Sequence, residues 1–442
     1  MAAMTFQKAT ILSLVSGGIL LPGAANSTAA DTNNVTDEVQ ALREENALLR
    51  QEVQKQGSAL DTLAKKVEQL EATDKDRAIS AGENPAPASQ GGLNFGNVHL
   101  GAEGGVAFFN TGPNGFAPDS DFRVDETRIF VDAPIWNSVY FHSDLDLATR
   151  ENNDLNAKLG ELYLDFEDVS QLWGKDGQLN VRAGRMFVPF GEEYMYRYAM
   201  ENPLITHSVS DIWGMDSGLE LYGSFGKFSY AVAVQNGSGA NGVQDFDGDK
   251  SVAGRISYDP NAHWHFSLSG MRTGDLSAQN DSISAVWFGG GWFHSIGSAA
   301  TSTFHAELAE ADITARWKSG QVTAFGGYAH YDDNDPVMGN ERNMFYYSLE
   351  ARQNITRKFY VAGRFSQILT DNKGYPIVGL GNMGEYFSTL TKQLWRGSFG
   401  VGYQFSSNLA VKAEYAIEHG TEVGGAPRED ENFIGTEAVF KF

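Results

Sequence analysis

Apolar and polar side chains alternate at every second position through most of the chain after residue 91. In the segment 139–147, Val, Phe, Ser, Leu and Leu occupy the odd positions, whereas Tyr, His, Asp and Asp occupy the even ones. The segment 409–418 repeats this pattern. A period of two is that of an extended strand whose two faces meet different surroundings. The sequence therefore predicts an all-β fold for residues 91–442.

The length of these segments and the pattern of their connections distinguish a membrane barrel from a soluble β-sandwich. The alternating segments run for about ten to fourteen residues, whereas strands of globular proteins most often have about five or six. Tilted strands of about ten residues cross a bilayer. The connections alternate between tight turns, such as Gly226-Lys227, Asp259-Pro260-Asn261 and Ser319-Gly320, and long stretches, such as 191–215 and 273–302. Bacterial outer-membrane barrels have this arrangement.

The last five residues, 438–442, read Ala-Val-Phe-Lys-Phe and look like the terminal strand of outer-membrane barrels. Because the N-terminal segment and this strand are both expected in the periplasm, the number of strands must be even. It is about sixteen if residues 273–302 form one loop, and about eighteen if the apolar stretch 283–293 forms a strand pair. We predict a 16-stranded antiparallel transmembrane β-barrel over residues 91–442, which is wide enough to hold an aqueous channel.

Residues 1–30 are predicted to be a secretory signal peptide. Lys8 precedes an apolar stretch at 9–21, and small residues follow it up to Ala30, the expected cleavage position. A basic start, an apolar segment and small residues before the cleavage site are the features of such a peptide. The mature chain is therefore expected to leave the cytoplasm.

Residues 31–77 carry a heptad pattern. Two series of positions spaced by seven, beginning at Val35 and Val39, interleave in steps of four and three. This is the a/d seam of a left-handed α-helical coiled coil, which needs partner helices to cover it, so the segment predicts a homo-oligomer. A single amphipathic helix packed on another surface is the alternative. Residues 78–90 are rich in Ala, Ser, Gly and Pro and are interpreted as a linker.

The composition narrows the range of functions. The chain has 33 basic and 56 acidic residues, a net charge of −23. Nucleic acid is not an expected partner, because phosphate binding requires a basic surface. The absence of cysteine excludes disulfides, thiolate metal ligands and cysteine nucleophiles.

No catalytic, cofactor-binding or metal-binding site is predicted. The sequence has no Gly-x-Ser-x-Gly motif of a nucleophile elbow. His263 and His265 flank Trp264 and are expected on the same side of one strand, but no carboxylate is expected in register with them. The chain is therefore not expected to be an enzyme.

The polar faces of the predicted strands carry many charged residues. A basic residue that faces lipid costs about 2–4 kcal/mol at the bilayer midplane, so these side chains are expected to face the lumen. The pore-lining candidates are Arg182, Arg255, Arg316, Arg352, Arg364, Arg396, Lys412, Asp144, Asp146 and Glu161. They are expected either to line a hydrated path and bias which ions pass, or to form salt-bridged ladders that brace the wall.

The stretch that follows the segment FVPFG at 187–191 is unusually aromatic for an exposed loop. Folding back into the lumen would bury its rings and narrow the pore. The constriction candidates are Glu193, Tyr196, Arg197, Tyr198, His207 and Trp213. Packing of this loop on a neighbouring subunit is the alternative.

Several of these features together resemble the phosphate-selective porin O and P family. They are the signal peptide, the barrel-type strands, the segment GRMFVPFG at 184–191 and the terminal Phe442. The resemblance covers the barrel and implies a homotrimer with inward-folded loops and a ladder of Arg and Lys residues that collects anions. Residues 91–442 carry 25 basic and 44 acidic side chains, however, so general diffusion is favoured over phosphate selectivity.

The predicted function is that of an outer-membrane porin, a water-filled channel for passive diffusion of small ions and solutes. A preference for anions or phosphate is the refinement that the resemblance implies. The barrel is expected to contact lipid of the bacterial outer membrane, with the coiled coil in the periplasm. Two alternatives stay open: a structural outer-membrane anchor whose coiled coil contacts peptidoglycan, and a barrel-type outer-membrane enzyme.

Overall fold

The computed structural model describes most of the chain after residue 92. The described residues are 93–95, 97–149, 157–212, 214–237, 245, 248–278, 282–284, 288–289, 301–337, 339–377, 379–381, 390–428 and 431–442. The expected signal peptide, coiled coil and linker at 1–90 lie outside them. No helix in these residues has the length and apolar character that a membrane-spanning helix requires.

Sixteen strands of at least eight residues form the wall of the described fold. They are β1 (Val98–Asn110), β2 (Asp121–Trp136), β3 (Val139–Ala148), β4 (Lys158–Phe166), β5 (Asn180–Phe187), β6 (Met215–Phe225), β7 (Phe228–Gln235), β8 (Ser251–Asn261), β9 (Trp264–Arg272), β10 (Thr303–Trp317), β11 (Gly320–Asp333), β12 (Arg342–Asn354), β13 (Phe359–Thr370), β14 (Thr391–Ser406), β15 (Leu409–Glu422) and β16 (Glu431–Lys441). Short 3-10 helices at Val169–Trp173 and Glu193–Tyr196 complete the regular structure together with four very short strands.

Each of the sixteen strands pairs antiparallel with the next one along the chain, and the last pairs with the first. At this closing seam, Gly104 of β1 lies opposite Phe440 of β16. The backbone N–H and C=O of Phe442 both bond to Ala102, at 2.9 Å each. Closure leaves no unpaired sheet edge, which is the condition for strands in a bilayer. The predicted 16-stranded antiparallel barrel is confirmed.

The long connection 273–302 explains why the barrel has sixteen strands and not eighteen. Its segment Leu276–Ser277 extends the pairing along β10. Ser282–Ser284 pairs with Phe288–Gly289, but in a separate two-stranded sheet. The apolar stretch at 283–293 therefore contributes a strand pair outside the wall of the barrel. A short strand at Leu93–Phe95 similarly extends the pairing along β1.

Short turns lie at one end of the barrel and most of the long connections lie at the other. The strand pairs β2–β3, β6–β7, β10–β11 and β14–β15 are joined by two residues each. The turn expected at Asp259-Pro260-Asn261 lies further along, at Ala262-His263. The strand continues because Asp259 donates its N–H to the carbonyl of Lys227, in the turn before β7, at 2.9 Å. Asn261 also pairs with Trp264 of β9.

The two faces of each strand differ as the alternation requires. On β9, Trp264, Phe266 and Leu268 point outward and are exposed, whereas His265 and Ser267 point inward and are buried. Exposed aromatic residues gather near the short-turn end of the wall: Trp136, Phe225, Phe228, Trp264, Trp317, Tyr403, Phe405 and Phe442. Such a girdle marks the level of a membrane–water interface. The outer face is therefore suited to lipid and the inner face to polar contacts.

Candidate functional site

The connection between β5 and β6, residues 188–214, folds into the barrel and is called the lumen loop here. It begins after Phe187, turns at Gly191 with a φ of 65° and forms the 3-10 helix Glu193–Tyr196. Gly191 donates its N–H to Ser269 Oγ on β9, at 3.0 Å. Nearly all described residues of this loop are buried, because the strands surround them.

The first part of the lumen loop is bound to β8 and β9. Arg255 Nη1 donates to the carbonyl of Gly191 at 2.7 Å and to the hydroxyl of Tyr194 at 3.1 Å. His265 Nε2 lies 2.7 Å from Glu192 Oε1. Burial works against the charge of this carboxylate, but the hydrogen bond with His265 and the positive charge of Arg255 hold the pKa of Glu192 below its ordinary value.

The middle of the lumen loop is bound to β13 and β15 through a carboxylate and a guanidinium. Glu414 accepts hydrogen bonds from the N–H of Ile205 at 2.5 Å and from the N–H and Oγ1 of Thr206 at 2.8 and 2.5 Å. Arg364 donates to the carbonyl of Thr206 at 2.6 Å and to Asn202 Oδ1 at 3.0 Å. The backbone groups of the loop thereby obtain partners that water would otherwise supply.

A buried lysine on β15 binds the same part of the loop. Lys412 Nζ donates to the carbonyls of Ala199 at 2.8 Å and Leu204 at 2.9 Å. It also pairs with Glu437 on β16, at 3.1 Å. Because the ammonium group is buried, these acceptors replace its hydration shell.

The last part of the loop is bound to β13 and β14. Arg396 donates to the carbonyl of His207 at 2.9 Å and pairs with Glu418 at 2.7 Å. Val209 donates its N–H to Ser366 Oγ at 3.0 Å. Strand β13 therefore holds both the middle of the loop and its return to the wall.

The lumen loop also contacts β1 and β2. Arg128 lies 3.4 Å above the ring of Tyr198 and pairs with Glu103 at 3.2 Å and Asp144 at 3.3 Å. Met200 donates its N–H to Glu103 Oε1 at 3.0 Å. With β8–β9 and β13–β15, this gives the loop three attachments around the ring of strands.

The constriction candidates lie within this buried loop. Glu193 accepts from the N–H and Oγ of Ser208, at 3.0 and 2.6 Å. Arg197 and His207 both contact Asp211, at 3.1 and 3.2 Å. Tyr198 packs on the barrel wall as described, Tyr196 is half-buried, and Trp213 lies outside the described residues.

The pore-lining candidates fall into three groups. Arg255, Arg364, Arg396 and Lys412 meet on the lumen loop, as described above. Asp144, Asp146 and Glu161 converge on the adjacent strands β3 and β4. The remaining three are separate: Arg182 pairs with Asp165 and Glu220 at 3.0 and 3.2 Å, Arg352 lies 4.2 Å from the ring of Tyr360, and half-buried Arg316 lies near the β8–β9 turn.

The inner face carries an excess of negative charge. Among the described residues, eighteen Asp and Glu side chains are buried, against nine Arg and Lys. Some of the carboxylates are bonded to hydroxyl groups: Glu310 accepts from Tyr346 at 2.8 Å and Asp312 from Ser267 at 2.9 Å. The buried basic residues are therefore outnumbered two to one.

The expectation for the two histidines on β9 was wrong. His263 lies in the turn and is exposed, with Nδ1 3.0 Å from the carbonyl of Arg316, so it does not share a face with His265. His265 does have carboxylate partners, Asp259 at 2.8 Å and Glu192 at 2.7 Å. Glu192 comes from the lumen loop, so no strand register could have indicated it.

Other residues of the site were also missed. Glu103 on β1 and Ser366 on β13 both bind the lumen loop, and Glu103 lies among glycines that gave no sign of it. The only sequence signal was their place on the polar face of an alternating strand. Contacts to a loop distant in the chain could not be assigned from that.

Comparisons with known proteins agree with this architecture. The family model described as "Putative beta-barrel porin-2, OmpL-like" matches residues 143–442. No curated protein matches the chain.

Many solved structures share the fold, and three of them are similar over most of this chain. The loop L8 deletion mutant of OmpT, an outer membrane protein of Vibrio cholerae, is 13% identical with a TM-score of 0.51, over 78% of this chain and 99% of that chain. OmpT in its trimer form is 13% identical with a TM-score of 0.50, over 79% and 100%. The outer membrane channel DcaP of Acinetobacter baumannii is 12% identical with a TM-score of 0.50, over 79% and 99%. The fold, the polar lumen and the family match agree, and the chain belongs to the OmpL-like beta-barrel porin-2 family of outer-membrane porins.

Proposed function

We propose that this chain is a passive diffusion channel of the bacterial outer membrane whose path is narrowed by the lumen loop and favours cations. The observation that carries the proposal is the two-to-one excess of buried carboxylates over buried basic residues inside a closed porin barrel. A barrel of this strand number encloses an aqueous channel, and fixed charges along a narrow path select ions by sign. No catalytic activity is part of the proposal.

The basic residues of the wall supply little free positive charge. Arg364 pairs with Glu350, Arg396 with Glu418, and Arg182 with two carboxylates. An ion pair has a much weaker distant field than a single charge, so the carboxylates in excess determine the sign of the potential. The family resemblance implies a preference for anions or phosphate, which is the opposite selectivity and stays a prediction. The reversal-potential measurement described next tests both.

The test is the current through purified protein in a planar bilayer that separates two potassium chloride concentrations. We expect discrete conductance steps and a reversal potential of the sign for cation selectivity. A reversal potential of the opposite sign, or block of the current by added phosphate, would favour an anion channel. A folded chain that gives no steps would favour the structural anchor.

Substitution of individual carboxylates identifies which charges determine the ion selectivity. Glu310→Gln and Asp312→Asn together are expected to reduce the preference for cations, because both carboxylates face the lumen. Glu307→Gln on the same strand is the matched control, since its side chain is exposed on the outer face. An equal change in both would show that the lumen carboxylates are not on the path.

The proposal includes a homotrimer with a periplasmic N-terminal segment. Two observations support it: OmpT of Vibrio cholerae, which has the same fold, occurs in a trimer form, and the heptad pattern at 31–77 requires partner helices. The signal peptide at 1–30, the linker at 78–90 and a contact of the coiled coil with peptidoglycan stay predictions. Cross-linking of the mature chain in detergent should give a trimer, and deletion of residues 31–77 should weaken it.

A further inference from the structure

A histidine and several carboxylates converge on the inner face of β2, β3 and β4. One ligand atom from each of His142, Asp144 and Glu161 lies within 4.8 Å of the others. Asp132 on β2 and Asp146 on β3 flank them on the same face. Nothing in the mechanism of a diffusion channel requires an imidazole at this position.

The imidazole of His142 is oriented as a metal ligand is. Its Nδ1 lies 2.6 Å from Asp132 Oδ1, and its ring stacks on Tyr163 at 5.0 Å. A carboxylate at Nδ1 favours the tautomer with the proton on that nitrogen, which leaves the lone pair on Nε2. Nε2 faces Glu161 Oε2 at 3.9 Å. Histidines that bind metals are held by the same carboxylate contact on the nitrogen remote from the ion.

The backbone makes room for the carboxylates. The pairing of β3 with β4 shifts register between Ser143 and Leu145, so that Gly160 lies beside Asp144. A Cβ at Gly160 would collide with the carboxylate of Asp144 and come within 3.0 Å of Asp146 Oδ2. The N–H of Glu161 donates to Asp144 Oδ1. The glycine therefore allows the oxygen atoms to approach one another.

The charges near this cluster do not balance. Asp132, Asp144, Asp146 and Glu161 are four acidic groups. Arg128 contacts Asp144 but also pairs with Glu103, and Arg185 donates its Nε to the carbonyl of Gly160 at 3.0 Å. The acidic groups therefore outnumber the guanidinium groups four to two. A divalent cation would offset the mutual repulsion of the carboxylates.

We propose that His142 Nε2 and the carboxylates of Asp144 and Glu161 bind a divalent transition-metal ion of the zinc class, with Asp132 as the positioning residue. A nitrogen donor with carboxylate oxygens suits zinc, whose bonds to these atoms are about 2.0–2.2 Å long. Two ligand atoms of one such ion lie at most about 4.4 Å apart. Small side-chain rotations are enough to reach that separation from the present one.

The site lies where the lumen loop leaves the wall. Glu161 Oε1 also accepts a hydrogen bond from the N–H of Phe187, at 3.3 Å. A bound ion would therefore fix the carboxylate that binds Phe187, the last residue before the loop. This consequence is separate from the binding itself, which is tested without any conductance measurement.

The test is calorimetric titration of zinc chloride into the full mature chain, purified in detergent and stripped with a chelator. We expect one zinc ion per chain. His142→Gln and Glu161→Gln should each weaken binding at least tenfold, and Asp132→Asn by about 10–100-fold, as for other residues that orient a ligand. His330→Gln and the exposed Glu307→Gln are the matched controls and should bind as the unaltered chain does.

Folding of each variant is checked by the mobility of unheated protein in electrophoresis. X-ray absorption at the zinc edge of the unaltered chain should show one imidazole ligand, and this readout needs no substitution. Absence of zinc binding by the folded unaltered chain overturns the proposal. So does binding that His142→Gln and Glu161→Gln leave unchanged, or a zinc spectrum with oxygen ligands alone.

Discussion

Arg364, Arg396 and Lys412 each make two kinds of contact. Each pairs with a carboxylate on a neighbouring strand and also donates to backbone carbonyls of the lumen loop. Removing one partner of a buried ion pair costs about 3–5 kcal/mol, because the other charge is left uncompensated. These side chains therefore set both the charge of the wall and the position of the loop.

Arg364→Ala and Arg396→Ala are each expected to raise the single-channel conductance and to move the reversal potential further toward cations. The loop loses a donor, and Glu350 or Glu418 loses its counter-charge. Bilayer recordings in a salt gradient measure both effects. Arg272→Ala, at an exposed outward arginine, is the control and should change neither quantity. An unaltered reversal potential in both lumen variants would place these arginines off the conducting path.

A glycine at the root of the lumen loop provides a second residue-scale test. Gly191 has a φ of 65°, and a Cβ there would collide with the carboxylate of Glu310. Gly226 has a φ of 64° but has no atom within 4 Å of such a Cβ. Each substitution to Ala destabilises the fold by about 1 kcal/mol, because a residue with a Cβ disfavours a positive φ. Gly191→Ala should lower the melting temperature in detergent more than Gly226→Ala, and equal losses would exclude the collision.

At the scale of elements, the lumen loop is held by side chains of β1, β2, β8, β9, β13, β14 and β15 as well as by hydrogen bonds of its own. The carboxylate of Glu414 accepts three hydrogen bonds from Ile205 and Thr206. Buried N–H groups without acceptors cost about 1–3 kcal/mol each. The rigidity of the loop therefore depends on its contacts with the wall as well as on its internal hydrogen bonds.

Glu414→Ala is expected to increase current noise and the number of subconductance levels, because the middle of the loop loses its acceptors. Glu422→Ala, near the end of the same strand, is the control. Single-channel recordings at fixed voltage measure the level distribution. A quiet channel with a single level in the Glu414 variant would contradict the proposed tethering.

The elements of the wall could be predicted from the sequence, whereas the contacts of the loop could not. A strand between lipid and water must alternate, so segments such as Leu409–Glu422 are visible in the local pattern. The bond from Thr206 to Glu414 joins residues 208 positions apart, and no local pattern encodes such a pairing. The position of the β8–β9 turn was missed because Asp259-Pro260-Asn261 has the composition of a turn. The strand nevertheless extends through it, since Asp259 bonds to Lys227 and Asn261 pairs with Trp264 of β9.

At the scale of the whole molecule, the closed ring separates two solvents. Exposed aromatic and aliphatic side chains face outward, and buried charged side chains face inward. A single basic residue that faced lipid would cost about 2–4 kcal/mol, and the inner face carries many charged residues, so together they fix this orientation. The buried charge of the barrel therefore lies on its inner side, and its acidic excess is contributed by many strands of the ring.

The preference for cations is expected to decrease as the pH falls below neutrality, because protonation removes negative charge from the carboxylates of the lumen. The lumen then loses negative charge while its arginines stay charged. Reversal potentials measured at several pH values in the same salt gradient test this. A preference that is independent of pH would mean that the carboxylates of the lumen do not determine the sign of the selectivity.

The three attachments of the lumen loop have a mechanical consequence. They lie on β1–β2, on β8–β9 and on β13–β15, so the loop runs as a crossbeam between opposite parts of the ring. A barrel with an empty lumen deforms easily under lateral pressure, whereas a barrel whose opposite walls are connected by an internal loop resists this deformation. The ion pairs in the interior then resist part of the lateral pressure of the surrounding bilayer. The same few side chains therefore influence both the stiffness of the barrel and the passage of ions.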